Sequence, residues 1–161
     1  MLLDTLYKTL SAVLHGRLSK HIADHKVISH TQSGYTKGVS TANNIITLNN
    51  IIEDSVEHNK ELHIITINLI KAYDKVQHWA EEQALIACNI DLGIISLIMD
   101  MHNKAKAYIS LEGHKGEEFD VNTGVCQGDV LALLLFLMVI NPLLLKISQC
   151  CTGYALARYS S

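Results

Sequence analysis

At 161 residues, with 48% hydrophobic and 18% charged residues, the chain is about one domain long, can bury a core, and is not a disordered polypeptide. Its formal charge of -3, from 13 Lys and Arg against 16 Asp and Glu, counts against a nucleic-acid binder that works by bulk charge, so any such role rests on local placement. The four cysteines form no Cys-x-x-Cys pair and no signal-peptide pattern opens the chain, so a reducing intracellular compartment is expected.

The spacing of Leu3, Leu6, Leu10, Val13, Leu14, Leu18 and Ile22 predicts an amphipathic helix over 2–25. Residues 28–41 read as a loop that ends in a Ser40/Thr41 N-cap. A second helix follows, with Ile45, Leu48, Ile52 and Val56 expected to point inward. The run "LHIITINL", Leu62 to Leu69, is β-branched and apolar on both faces, which predicts a buried strand with Asn68 at its C-terminal end. Helices are expected around 78–88 and 93–104, the second with Ile94, Leu97, Ile98 and Met101 along it. The alternation of Ala107, Ile109 and Leu111, with Gly113 and Gly116 beyond, predicts a hairpin. A glycine-bearing loop, "NTGVCQGD", then runs into an apolar helix over 129–148.

That last helix raises the question of a membrane. Its charge-free stretch runs from Val130 to Leu145 and is interrupted by Asn141 and Pro142, short of the roughly 20 residues a span needs, so a buried core helix is expected and no membrane partner. His21 and His25 stand one helical turn apart, yet no third ligand or general-base Glu accompanies them, and solvated surface is the expectation.

Taken in order, "LDTLYKTLSAVLHGRLSKHI", "QSGYTKGVST", "NLIKAYDKVQH", "GVCQGDVLALLLF" and "INPLL" resemble the reverse transcriptase domain of non-LTR (LINE-type) retrotransposons. Any one of these pieces occurs by chance; five in series and in register carry the resemblance. It implies an α+β, partial right-hand polymerase fold: helical fingers (about 1–60) and an incomplete palm with inserted finger helices (about 61–161), without a thumb. It implies RNA-directed DNA polymerisation with an RNA template, a DNA primer, dNTPs and Mg²⁺, in the nucleus.

The resemblance also assigns positions. Lys37 falls where the family has a basic finger residue, Tyr73 at its aromatic gate against a ribose 2′-hydroxyl, and Gln127 at its nucleotide- and template-contacting Gln. Gly124 and Gly128 would let backbone approach the substrate. Asn68 stands where the family places a metal-binding Asp, while Asp74 matches a further, structural Asp.

Here the sequence departs from the family. An amide at position 68 removes a negative charge beside a divalent ion, a pairing worth roughly 4 kcal/mol at about 4 Å and an effective dielectric of about 20. Since about 1.4 kcal/mol is tenfold in rate, a large loss of activity is expected. The Tyr-x-Asp-Asp hairpin of the family does not occur before Ser161; Thr123 and Cys126 replace expected basic residues, and Val130 and Leu133 expected prolines. The expectation is an inactive fragment of a retrotransposon reverse transcriptase that binds no metal tightly. Two alternatives stand beside it: a non-catalytic nucleic-acid-binding remnant using Arg17, Lys37 and Lys71, and a chain that does not fold alone.

Overall fold

The computed structural model describes residues 5–29, 31–34, 38, 40–125 and 128–156. Among these, five helices and one two-stranded sheet form, in the order α1 (Thr5–His25), α2 (Thr41–Glu57), α3 (His78–Ala87), α4 (Leu92–Asn103), β1 (Lys106–Leu111), β2 (His114–Asp120) and α5 (Val130–Cys150). The architecture is α+β, dominated by helices. The chain divides into two compact units, one of residues 1–28 and 69–140 and the other of 29–68 and 141–161.

Local sequence explains where the helices start and stop. Ser40 caps α2 by accepting from the Asn43 N–H, and Asp91 caps α4 by accepting from Gly93 and Ile94 at 2.9 and 3.3 Å. At the C-termini of α1, α2 and α3 the residues Lys26, Asn59 and Asn89 take a left-handed conformation, with φ near 50°. In each case the next N–H returns to a carbonyl of the last turn, as Ile90 does to Leu85 at 3.1 Å, which satisfies orphan carbonyls and turns the chain sharply.

The first unit holds the core. Leu14 and Leu18 of α1, Ala84 and Leu85 of α3, Ile95 and Ile98 of α4, and Leu131, Leu134, Leu135 and Met138 of α5 are buried together. Their three- and four-residue spacings place them on one face of each helix. Of the stripe expected on α1 only the later part is inside: Leu6, Leu10 and Val13 are exposed, and the buried face begins with Ser11. Ser11 is there because its hydroxyl donates to the Asp129 carboxylate, which also accepts from the Leu131 N–H at the start of α5.

Strands β1 and β2 pair antiparallel through the two-residue turn Glu112–Gly113, both at positive φ, the turn that matches strand twist. The register shifts between Tyr108 and Ser110, where Gly116 lies 3.1 Å from the Ile109 carbonyl as measured from an added Cβ. A side chain there would crowd the bulge.

Three further expectations need correction. Leu62 to Leu69 forms no strand: the segment is irregular, and Ile65 and Ile67 are 85% and 74% exposed. A strand exists only by pairing, and among the described residues β1 and β2 pair with each other alone. Helix α2 forms as expected, but Ile45, Leu48, Ile52 and Val56 are exposed, and its buried residues are the polar Asp54 and Ser55. Within the second unit Asp54 draws the packing, accepting a hydrogen bond from the Tyr154 hydroxyl at 2.8 Å, with the Lys60 ammonium at 3.8 Å.

Helix α5 is core only over its first half. It runs on through Pro142 to Cys150, and Leu143 and Ile147 are exposed. By length and composition it is apolar enough to cross a membrane, although its buried apolar residues, among them Leu131 and Met138, face protein in the first unit.

Candidate functional site

Two segments of the first unit, 73–76 and 124–125, lie side by side. Val125 donates its N–H to the Tyr73 carbonyl at 3.0 Å, and Gly124 donates to the Val76 carbonyl at 2.7 Å. Two stretches some fifty residues apart in sequence are thereby fixed backbone to backbone. Gly124, at φ +88°, permits this, for a Cβ there would stand 2.9 Å from the Asp74 carbonyl oxygen. The approach that requires glycine at 124 is therefore from the 73–76 turn of the chain itself.

Tyr73 is half-buried at the edge of the core, its ring tilted by 38° against Phe136 of α5 with centroids 4.9 Å apart. One face of the ring is thus supported by protein. Lys71 begins the turn in a left-handed conformation, φ 53°, and its carbonyl accepts from the Lys75 N–H at 3.1 Å. Its side chain is exposed, as are those of Asp74 and, on α1, Arg17. Gly128 is exposed at φ +95° with open space where a Cβ would be. Lys37 and Gln127 lie outside the described residues. Asn68 is exposed at the end of the irregular segment and belongs to the second compact unit.

His21 and His25 are each tied to the backbone by one ring nitrogen. Nε2 of His21 donates to the Cys88 carbonyl and Nδ1 of His25 to the His21 carbonyl, both at 2.9 Å, and the rings stack with centroids 4.1 Å apart. A different trio does converge. Ligand atoms of His78, Glu81 and His102 lie within 4.8 Å of one another inside the first unit, and sequence inspection had no signal for it because His102 is on another helix.

In the second unit an open groove of about 540 Å³ is bordered by Lys60 to His63 and Thr152 to Ala155. Beside it, burial first and the Asp54 hydrogen bond and charge second push the Tyr154 phenol up to about 12. None of the described residues assigned by motif borders this groove.

Comparison with known proteins decides the ancestry. The profile of the family described as reverse transcriptase (RNA-dependent DNA polymerase) matches residues 1–160. The chain belongs to the reverse transcriptase family. It is 30% identical over 132 residues to a retrovirus-related Pol polyprotein from the type-1 retrotransposable element R2 of Bradysia coprophila, covering 80% of this chain and 15% of that protein. It is 27% identical over 146 residues to the corresponding R2 polyprotein of Popillia japonica, covering 90% of this chain and 20% of the relative. The polyprotein of the type-2 element R2DM of Drosophila melanogaster is 26% identical over 141 residues, 88% of this chain and 13% of its own. The chain thus spans between an eighth and a fifth of the length of these relatives, and its kinship is with non-LTR elements.

Membership implies a polymerase fold, and the mixed helical structure with its small sheet is compatible with part of one. Reverse transcriptases generally use divalent metal ions such as Mg²⁺. Such ions want carboxylate oxygens converging on one point, and no such set of carboxylates stands among the described residues. The cluster that does form among the described residues is two imidazoles and one carboxylate.

Proposed function

We propose that this chain is a segment of an R2-type reverse transcriptase that retains the scaffold around the nucleotide and has lost the chemistry. The observation that carries this reading is the pairing of Tyr73 and Val76 with Val125 and Gly124. It fixes segments 73–76 and 124–125 side by side, with the Tyr73 ring braced by Phe136, and supports reading them as remnants of one site. On this reading residues 1–60 correspond to fingers and 61–161 to an incomplete palm. Tyr73 marks the sugar gate, Gln127 and Gly128 the contact with nucleotide or template, and Lys37 and Lys71 the neighbourhood of phosphates. The substrates of the ancestral site are dNTPs on an RNA template with a DNA primer. Asn68 occupies the position of the carboxylate ligand, and without that charge Mg²⁺ and the developing phosphate charge lose a counter-ion.

Primer extension on an RNA template with Mg²⁺ tests this. No incorporation is expected from the chain; template-dependent incorporation of dNTPs would show that the chemistry is retained. A second reading, that the segment folds only when more protein covers it, is favoured by the exposed apolar residues of α2 and of 64–70. Cooperative thermal unfolding of the isolated chain would dismiss it.

A further inference from the structure

We propose that His78, Glu81 and His102 form a binding site for a divalent transition-metal ion of the Zn²⁺ class, clasping the open end of the α3–α4 helix pair. The proposal is independent of polymerase chemistry and of Asn68.

The site follows from the helix geometry. His78 and Glu81 are three residues apart in the first turn of α3 and share one face of it. The sharp reversal at Asn89 sends α4 back against α3, so the last turn of α4, which carries His102, arrives beside the first turn of α3. The three ligating atoms then lie within 4.8 Å of one another, and the His78 and His102 rings have centroids 4.7 Å apart.

Burial makes the grouping unusual. Glu81 is 1% exposed and His102 6%, while His78 is half-buried and leaves a route from solvent. Among the described residues, neither carboxylate oxygen of Glu81 has a hydrogen-bond partner, nor does Nδ1 of His102. Nδ1 of His102 is 2.9 Å from Oε2 of Glu81, close enough for an ionic contact but off the line that a hydrogen bond requires. A carboxylate removed from water without hydrogen bonds is costly unless a cation sits beside it.

The tautomer of His78 is also set for a ligand. Its Nε2 lies 3.3 Å from the Gly124 carbonyl, which can only accept, so Nε2 donates there and Nδ1 is the nitrogen left for a ligand. A ligating imidazole whose other nitrogen is tied to a backbone carbonyl is the usual arrangement at such centres. Two imidazoles and a carboxylate suit Zn²⁺ or Co²⁺ far better than Mg²⁺, with water completing four-coordination. Zn–N and Zn–O bonds of about 2.1 Å put tetrahedral ligands roughly 3.4 Å apart. The widest pair must therefore close from at most 4.8 Å, a movement within reach of a side-chain rotation at half-buried His78.

The test uses the full chain, stripped with a chelator and titrated with Co²⁺ as the probe. The expected result is one equivalent bound with the visible absorption of a four-coordinate ion, no sulfur-to-cobalt charge-transfer band, and displacement by Zn²⁺. Glu81→Gln and His102→Asn are each expected to weaken binding at least tenfold with an unchanged far-ultraviolet circular dichroism spectrum. If either variant fails to fold, proton NMR of the Co²⁺-loaded wild-type chain decides: two paramagnetically shifted imidazole N–H signals are expected. Absence of Co²⁺ binding, a thiolate charge-transfer band, binding undiminished in folded variants, or fewer than two shifted imidazole signals would overturn the site and leave His102 and Glu81 as a buried ion pair.

Discussion

The backbone of Asp74 lies directly against Gly124: a Cβ added to that glycine would stand 2.9 Å from the Asp74 carbonyl oxygen and 3.0 Å from its Cα. Both a left-handed φ of +88° and this contact exclude a side chain. Gly124→Ala is expected to destabilise the first unit by about 2 kcal/mol or more, from backbone strain and the forced separation of the two loops. Gly128→Ala, with open space around it, should cost only its positive φ, about 1 kcal/mol. Urea unfolding of the two variants checks the order; equal losses would mean that the Asp74 contact is not formed.

Leu85 and Ile98 are fully buried where α3 meets α4. Truncating either to Ala removes methylene contacts and leaves a cavity, an expected loss of about 2–5 kcal/mol. Ile45→Ala, on the exposed face of α2, is expected to fall within about 0.5 kcal/mol of wild type. A large effect of Ile45→Ala in equilibrium denaturation would show that this face is covered in solution.

Tyr154 is held neutral by burial, by donating to Asp54 and by that carboxylate's charge, with its phenol raised to about 12 from the ordinary value of about 10. Because the folded value is the higher one, its contribution to stability is complete below about pH 10 and is lost as pH climbs through about 12. A phenolate absorbance titration, read as the difference between wild type and Tyr154→Phe, should place this group last to ionise. Asp54→Asn should bring it down.

Burial pushes the Cys88 thiol up, whereas Cys150 and Cys151 are exposed. Alkylation by iodoacetamide at neutral pH, mapped by mass spectrometry, is expected to label Cys150 and Cys151 first and Cys88 only when the first unit opens. Equal rates in the native protein would contradict the packing of Cys88 against α1, where the His21 ring donates to its carbonyl.

What the residues determine by themselves is local, together with ancestry. The helices around 78–88 and 93–104, the Ser40 cap and the hairpin about Gly113 each depend on neighbours within a few positions, and each forms as read. The ordered series of motifs identifies the reverse transcriptase family because the signal is a pattern of residue types and needs no contact to be seen. Tertiary structure alone decides whether an apolar pattern is used. Leu62 to Leu69 has the composition of a buried strand, but a strand is a relation between two segments, and no described partner pairs with it. The stripe on α2 is periodic and exposed for the same reason: periodicity names a face without naming what covers it. Gly124 could be read as a substrate-facing glycine until the fold set Asp74 against it. His78, Glu81 and His102 became a group only when the reversal at Asn89 laid the end of α4 beside the start of α3, because convergence of side chains from separate helices is a property of the packing.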